Sequence, residues 1–379
     1  MKAYEFHYGP TLIAGSGAAS RLGETLPTGR CLFVTDATVR KLGLADAALD
    51  ALGQAGIECM IFDAVEADPS LETLLAAVAA GRAASSVIGF GGGSPMDVAK
   101  LAAYLIGSGD VLDEIWGVGK AKGQGLPLAL VPTTAGTGSE ATSVSVITTG
   151  GSTKNAVNSV ALLADWAVLD ADLTAGLPRE VTAATGLDAM VHAIEAYTSA
   201  RRKNPLSDFM AREALRLLSA NLERACERPD DLEARGSMLL GAHLAGIAFE
   251  NAPVAGVHAL AYPLGGHFHV PHGLSNSLML CHVLSYNMQA AMPLYAELGA
   301  MLDPALGLLG TQGQAQGFVE YMARLARSTG LPQCLSEVGV TAGHLDLLAS
   351  EAMKQERLLV NNPCPISEAD ARRLYEAAL

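Results

Sequence analysis

Four side chains in two short segments have the chemistry and spacing of metal ligands. Asp188 and His192 lie in TGLDAMVHAIEAY, a segment with a helical pattern, and His258 and His272 lie in VHALAYPLGGHFHVPHG. Because residues four apart leave the same face of a helix, Asp188 and His192 can hold one ion. Three imidazoles and one carboxylate suit iron or zinc better than magnesium or calcium, which prefer oxygen ligands. The sequence therefore predicts metal-assisted chemistry.

The alternative for Asp188 and His192 is an ordinary pair on a helix surface. The surroundings of the other two ligands favour the metal site, because residues 251–296 contain no Asp, Glu, Lys or Arg but five of the nine histidines. A buried imidazole needs a hydrogen-bond partner or a metal. Proline and glycine interrupt this uncharged stretch too often for a membrane span.

The elements that must position these ligands follow from the hydrophobic pattern. Short apolar runs alternate with helical patterns in the first half, with strands predicted at RCLFVTD, CMIFDAV, SVIGFGGG and LPLALVPTT. This alternation predicts an α/β domain with a parallel, Rossmann-like sheet that binds ligands at the C-terminal strand ends. From Pro178 onward the pattern is helical. The predicted domains are a dinucleotide-binding α/β domain, residues 1–177, and an all-helical metal-binding domain, residues 178–379.

Composition narrows the partners and the location. The formal charge of -14 and the lack of a basic patch argue against a nucleic-acid partner. No run of 18 apolar residues is present, which predicts no membrane span. The six cysteines form no CxxC pair, so neither a disulfide framework nor a zinc ribbon is indicated. These features predict a cytoplasmic protein with a small-molecule substrate.

Two small-residue loops follow predicted strands and suit phosphate binding. In GGGSPMDVAK, residues 91–100, consecutive glycines let backbone amides approach a pyrophosphate, and Ser94 is expected to cap the helix that follows. The loop PTTAGTGSEAT, residues 132–142, adds hydroxyl groups. Neither loop matches GxGxxG or the Walker pattern, and each alone could be an ordinary turn. Two such loops at adjacent strand ends predict a nucleotide site.

Asp36 closes the strand that ends LFVTD, where an acid can accept hydrogen bonds from an adenosine ribose and repel a 2′-phosphate. This position would favour NAD over NADP. The alternative is that Asp36 caps the next helix.

Together these segments resemble the iron-containing, or group III, alcohol dehydrogenase family over nearly the whole chain. The strand ending VTD, both glycine loops, the GLDAMVHAIEAY helix and HALAYPLGGHFHVPHG occur in that family's order and approximate spacing. The resemblance implies a dehydroquinate synthase-like architecture with an α/β N-terminal and an all-α C-terminal domain. It also implies NAD, a divalent metal and a homodimer. Iron(II) is the expected metal, with zinc as the alternative.

The resemblance also assigns residues to the two sites. The implied metal ligands are Asp188, His192, His258 and His272. The implied cofactor contacts are Asp36, Asp68, Gly92, Gly93, Ser94, Asp97, Thr133, Thr134, Thr137 and Lys154. Asp68 stands where many members have Asn, and Lys154 could instead be a solvated turn residue.

The chain departs from the family at a position linked to proton transfer. Many members carry a histidine four residues after the third metal ligand, and here that position is Tyr262. A phenol, with a reference pKa near 10, suits proton exchange at neutral pH less well than imidazole. Tyr262 and His267 are the expected catalytic residues, with a structural role as the alternative for His267. Glu195 is expected to support the metal ligands without reacting.

The resemblance implies reversible hydride transfer between NAD(H) and a small primary or secondary alcohol and its aldehyde or ketone. One alternative is an NADH-dependent reductase of a semialdehyde or oxo acid, of the hydroxybutyrate or maleylacetate type. Within the same architecture, a glycerol-dehydrogenase-like enzyme and a dehydroquinate-synthase-like lyase that uses NAD transiently are further alternatives. A nucleotide- or metal-binding protein without catalysis is the alternative from another class.

Overall fold

The chain folds into two compact units. The computed structural model describes residues 3–150 and 153–379. One unit is Tyr8–Gly176, and the other is Leu177–Leu379 together with residues 3–7. The sequence predicts a boundary between residues 177 and 178, with the start of the chain in the first domain. In the structure, residues 3–7 instead belong with the second unit.

Strands occur in the first unit. They are β1 (Thr11–Ala14), β2 (Gly29–Val34), β3 (Ile57–Phe62), β4 (Ser86–Gly91), β5 (Gly117–Val118), β6 (Leu128–Pro132), β7 (Val144–Gly150), β8 (Thr153–Asn158) and β9 (Trp166–Leu169). Six of them form a fully parallel sheet in the order β1-β9-β6-β4-β2-β3. The predicted α/β domain with a parallel sheet is confirmed.

Helices occur in both units. Those of the first unit are α1 (Leu22–Thr25), α2 (Ala37–Lys41), α3 (Asp46–Gln54), α4 (Leu71–Ala80), α5 (Gly93–Ser108) and α6 (Leu112–Ile115). Those of the second are α7 (Arg179–Thr198), α8 (Pro205–Glu227), α9 (Leu232–Asn251), α10 (Gly256–Phe268), α11 (His272–Leu302), α12 (Thr311–Ser328), α13 (Leu345–Met353), α14 (Glu356–Leu359) and α15 (Glu368–Ala378).

The parallel sheet is covered on both faces, because its residues alternate between two apolar clusters. Leu32 and Val34 of β2 pack in the cluster that includes helices α4 and α5. Cys31 and Phe33 pack in the cluster that includes α3. Every residue of β4 and β6 is buried. This burial explains why both strands are near-continuous apolar runs in the sequence.

A small second sheet, β5-β8-β7, was not predicted. Strand β8 pairs antiparallel with β7, with Asn155 opposite Ile147 and Lys154 opposite Thr148. Lys154 therefore lies in a strand, and the alternative that placed it in a turn is wrong. Strand β7 begins at Val144, two residues after the loop of residues 132–142, so the sheet anchors the end of that loop.

The second unit is helical throughout its described residues, as predicted. Helix α7 packs against α8, α9 and α11, and all its residues from 186 to 198 are buried. A helix buried on all sides carries no solvent-facing polar stripe. Among the described residues, no helix is long and apolar enough to cross a membrane.

Helices α7 and α11 approach so closely that only glycine fits at their contact. A Cβ on Gly273 would lie 2.3 Å from the Ala184 carbonyl oxygen and 3.3 Å from Cβ of Asp188. Contact with backbone leaves no flexible neighbour that can move aside. Gly273 therefore sets the separation between Asp188 and His272, the first residue of α11.

Replacing Gly273 with Ala should destabilise the protein by about 1–3 kcal/mol, the usual cost of overpacking. Equilibrium urea unfolding followed by circular dichroism measures this change. The matched control is Gly266→Ala in α10, where a Cβ would meet nothing within 4 Å. That change should be neutral or slightly stabilising, because alanine favours helix. Equal unfolding free energies for the two variants would contradict the close-approach argument.

Candidate functional site

The four predicted metal ligands come together in the second unit. One donor atom from each of Asp188, His192, His258 and His272 lies within 4.8 Å of the others. Helix α7 supplies the first two, one turn apart, α10 supplies His258 and α11 supplies His272. The surface-pair alternative for Asp188 and His192 is wrong, since both are buried.

The spacing of these donors fits a single ion. Asp188 Oδ1 lies 4.0 Å from Nε2 of His192, 3.8 Å from that of His258 and 3.7 Å from that of His272. Donors in a tetrahedron around an ion, each at about 2.1 Å, would be about 3.4 Å apart. A small inward movement of these side chains would complete such a shell. One carboxylate and three imidazoles are donors for iron(II) or zinc.

The electrostatics of the cluster keep its carboxylate ionised. Burial raises the pKa of Asp188, but attraction to His192, His272 and His258 together with a hydrogen bond from Asn276 outweighs burial and holds that pKa below its ordinary value. A charged carboxylate is the form that binds a cation.

Glu195 supports His258, as predicted from the sequence. The Glu195 carboxylate lies 2.6 Å from His258 Nδ1 and accepts hydrogen bonds from the backbone N–H groups of Ala255 and Val257, at 2.9 and 2.6 Å. These two amides stand at the N-terminus of α10, which favours an anion. With Nδ1–H donating to Glu195, the His258 Nε2 lone pair remains available to a metal.

Two neighbours of the cluster were missed by the sequence analysis. Asn276 is fully buried and lies one turn after His272 in α11, so its amide faces the same cluster. Phe249 of α9 stacks on His192, with ring centroids 4.5 Å apart. The spacing of four residues between His272 and Asn276 was a usable signal. Nothing local linked Phe249 to His192.

The two predicted catalytic residues lie in different surroundings. The Tyr262 ring lies 5.8 Å from the His272 ring, centroid to centroid. His267 is exposed and comes nine residues after His258 in α10, which places it on the opposite face of that helix. The structure therefore brings Tyr262, but not His267, to the cluster. A catalytic role for His267 stays a prediction.

The two glycine loops of the first unit lie side by side, because β4 and β6 are neighbours in the sheet. A Cβ on Gly92 would lie 3.7 Å from Thr134 Oγ1, and one on Gly93 would lie 3.1 Å from Thr137 Cγ2. Helix α5 starts at Gly93 and its N-cap is Gly92. The expectation that Ser94 caps this helix is therefore wrong, since Ser94 is already inside the first turn.

A backbone hydrogen bond and the Asp97 carboxylate connect the second loop to the first. The Thr133 N–H donates to the Gly91 carbonyl at 2.9 Å. Asp97 accepts hydrogen bonds from the Ser139 hydroxyl and the Val146 N–H, at 2.8 and 3.0 Å. Both carboxylate oxygens of Asp97 are thus engaged within the protein. This bonding makes Asp97 a support for the loop, and its direct contact with a cofactor stays a prediction.

Lys100 completes this support. Its ammonium group is fully buried and donates to the Ser139 and Thr142 hydroxyls and the Val144 carbonyl, at 2.8, 3.1 and 2.8 Å. It also lies 3.9 Å from the Asp97 carboxylate. A buried charge with this many acceptors fixes the loop backbone that surrounds it.

Asp36 caps helix α2, the alternative that the sequence left open. Its Oδ1 accepts hydrogen bonds from the N–H groups of Thr38 and Val39, at 2.8 and 2.9 Å. Its Oδ2 lies 3.3 Å from where a Cβ on Gly91 would stand, so it borders the first glycine loop. Capping uses one oxygen, and a ribose contact by the other stays a prediction.

Asp68 and Lys154, both predicted cofactor contacts, form an ion pair. Lys154 Nζ lies 2.6 Å from Asp68 Oδ1, and Asp68 has a left-handed backbone with φ of 54°. Asn and Asp are the residues that tolerate this conformation best apart from glycine. An exposed ion pair contributes little to stability. The pair lies at the small sheet, where the Thr148 hydroxyl donates to the Asp68 carbonyl at 3.1 Å.

Comparison with known proteins connects both halves of the chain to one family. The sequence matches the family described as "Iron-containing alcohol dehydrogenase" over residues 10–171. It matches "Fe-containing alcohol dehydrogenase family, C-terminal" over residues 182–379. The predicted resemblance is confirmed.

Individual relatives cover the whole chain. Long-chain-alcohol dehydrogenase 1 of Geobacillus thermodenitrificans is 41% identical, over 100% of this chain and 97% of the relative. Sulfoacetaldehyde reductase of Bilophila wadsworthia is 32% identical, over 97% of this chain and 96% of the relative. A crystal structure of a 1,3-propanediol oxidoreductase, 33% identical, superposes with a TM-score of 0.96 over 100% of both chains.

Replacing Glu195 with Ala should lower the affinity for Zn²⁺ about 10–100-fold, the usual effect of losing a hydrogen-bond partner behind a metal ligand. His258 would lose the acceptor that fixes its tautomer. Competition with a chromophoric zinc chelator measures the dissociation constant. The control is Glu223→Ala, at an exposed position of α8. Unchanged affinity in the Glu195 variant would show that the ring needs no such support.

Proposed function

The chain belongs to the iron-containing alcohol dehydrogenase family, and from this membership we propose that it interconverts an alcohol and its aldehyde or ketone by hydride transfer with NAD(H). The observation that carries the proposal is the cluster of Asp188, His192, His258 and His272. Membership in a family of enzymes sets aside the alternative of a binding protein without catalysis.

We assign the ligand role to these four side chains. A divalent metal held by them supplies Lewis acidity toward the substrate oxygen. One carboxylate among four donors neutralises only half of a divalent charge. The protein thus leaves positive charge available where negative charge develops on the substrate.

The phenol of Tyr262 is the group that we expect to contact the substrate hydroxyl. It lies beside His272 and is partly exposed. A hydroxyl can donate or accept a hydrogen bond at this point and so orient the substrate oxygen or pass a proton.

The first unit supplies the features that support NAD. The backbone amides of Gly92 and Gly93 stand at the N-terminus of a 16-residue helix, where a pyrophosphate would be stabilised. Thr133, Thr134 and Thr137 add hydroxyl groups on the adjacent loop. Asp36 has one carboxylate oxygen beside the first glycine loop, which favours a ribose with a free 2′-hydroxyl over one with a 2′-phosphate.

Three further predicted cofactor contacts are Ser94, Asp68 and Lys154. Ser94 occupies the first turn of α5. Asp68 and Lys154 are paired at the small sheet. We expect Lys154 to face a cofactor phosphate, with Asp68 holding its ammonium group in place.

The surroundings of the metal cluster favour an uncharged substrate. Residues 251–296 include two of the metal ligands, and also Tyr262 and Asn276. This segment contains no Lys or Arg that could pair with a substrate carboxylate or sulfonate. Phe249 adds an apolar ring against His192. The name of the 41% identical relative, a long-chain-alcohol dehydrogenase, points the same way and extends the expected substrates beyond small alcohols.

A reductase of an anionic carbonyl compound is the second candidate. The 32% identical relative named sulfoacetaldehyde reductase supports it, as does Tyr262 at the position where many family members have histidine. A semialdehyde or oxo acid of the hydroxybutyrate or maleylacetate type would be such a substrate.

We further propose that the protein acts in the cytoplasm as a homodimer. All six cysteines are free in the described residues, which suits a reducing compartment. The dimer follows from the family resemblance, and sedimentation velocity of the purified protein would test it.

The substrate proposal predicts a clear preference between two four-carbon aldehydes. With the protein loaded anaerobically with Fe²⁺ or Zn²⁺, kcat/KM for butanal should exceed that for succinic semialdehyde at least tenfold, or about 1.4 kcal/mol. The two compounds differ by one carboxylate, which would lack a cation beside the cluster. NADH absorbance at saturating cofactor gives both rates. A preference for succinic semialdehyde would establish the anionic reductase, and no net NADH oxidation with either would contradict both candidates.

Removing the Tyr262 hydroxyl with Tyr262→Phe should lower kcat/KM for the best aldehyde about 10–100-fold, since proton transfer by a placed group contributes at least that much. Tyr262→His should retain more activity than Tyr262→Phe. Its pH profile should have an inflection nearer neutrality than that of wild type, because imidazole titrates near 6.5 and phenol near 10. The control is Tyr321→Phe in α12. Equal activity of wild type and Tyr262→Phe would remove Tyr262 from the mechanism.

A further inference from the structure

Asn276 contacts three of the four candidate metal ligands. Its Nδ2 lies 2.6 Å from Asp188 Oδ1, 3.2 Å from His258 Nε2 and 3.3 Å from His272 Nε2. The same Asp188 oxygen is the atom that lies nearest to the three imidazoles. The amide therefore bonds directly to the donor oxygen of the cluster.

The other end of the Asn276 amide defines its orientation. Oδ1 is buried and has no hydrogen-bond partner among the described residues, a costly arrangement for an acceptor. Turning the amide over would bring Oδ1 against the Asp188 carboxylate, oxygen to oxygen. The carboxylate thus selects the orientation with the N–H inward, and in return the N–H restrains the carboxylate.

We propose that Asn276 is a positioning residue that fixes the Asp188 carboxylate for metal binding and leaves the donor set with a single negative charge. This inference rests on the proposed function. The terminal torsion of an aspartate has a broad energy well, so the side chain needs a partner to stay aligned. The Asn276 N–H is that partner, and it donates to Asp188 Oδ1, the oxygen nearest to the three imidazoles.

The choice of amide over carboxylate has a separate consequence. Aspartate has nearly the same shape as asparagine but would add a second negative charge beside Asp188. A second carboxylate would bind a cation more strongly and neutralise the charge that polarises the substrate. Asparagine orients Asp188 without that loss.

The experiment compares wild type, Asn276→Ala, Asn276→Asp and the control Asn287→Ala. Asn287 lies in the same helix, is also buried, and bonds to Asn362 rather than to the cluster. Chelator competition gives the Zn²⁺ dissociation constant, thermal melts with and without Zn²⁺ give the stabilisation by metal, and the visible spectrum of the Co²⁺ form reports ligand geometry.

Asn276→Ala should weaken Zn²⁺ binding about 10–100-fold, reduce the melting-temperature gain on adding Zn²⁺, and alter the Co²⁺ spectrum. Asn276→Asp should melt lower than wild type without metal, because two carboxylates face each other. It should bind Zn²⁺ at least as tightly as wild type while turning over aldehyde more slowly. Asn287→Ala should melt lower but keep its Zn²⁺ affinity within threefold.

If Asn276→Ala binds Zn²⁺ with an affinity within threefold of wild type, the inference about Asn276 is overturned and the proposed function is unaffected. Equal losses of affinity in the Asn276 and Asn287 variants would also overturn it, because the effect would then be general destabilisation. Failure of wild type itself to bind Zn²⁺, Co²⁺ or Fe²⁺ would instead sink the proposed function, and this inference with it.

Discussion

The second unit depends on holding a buried negative charge in place. Asp188 is 2% exposed in a helix whose residues are buried around it, and such a charge is costly unless it is paired. Most of its partners come from other helices, since His258 belongs to α10 and both His272 and Asn276 to α11. Glu195, also in α7, is likewise paired with another helix, because its carboxylate accepts hydrogen bonds from backbone N–H groups at the start of α10. The buried carboxylates of Asp188 and Glu195 therefore hold the neighbouring helices at the site.

The first unit also uses buried charge to fix a backbone. Lys100 and Asp97 bond hydroxyl groups of the loop of residues 132–142 and backbone groups of β7, the strand that follows it. A loop fixed in advance loses less conformational freedom when the ligand binds.

The sequence predicted the features that are local in the chain. Apolar runs in the sequence predict fully buried strands such as β4 and β6. The spacing of four residues between Asp188 and His192 predicts that both lie on one face of a helix. Features that need contacts across the chain escaped prediction. The inward turn of Asp97 and the stacking of Phe249 on His192 join residues far apart in sequence. The antiparallel pairing that holds Lys154 is local, but it was missed as well. Family likeness supplied the pairing of the two ligand segments.

The four ligand side chains differ in how water reaches them. His272 opens α11 and its side chain is 43% exposed, while those of Asp188 and His258 are each 3% exposed. An ion arriving from solvent can meet this outer imidazole first and pass inward without any helix unfolding. The fold therefore permits loading and replacement of the metal after synthesis is complete. The identity of the bound metal then depends on which ions the surroundings supply.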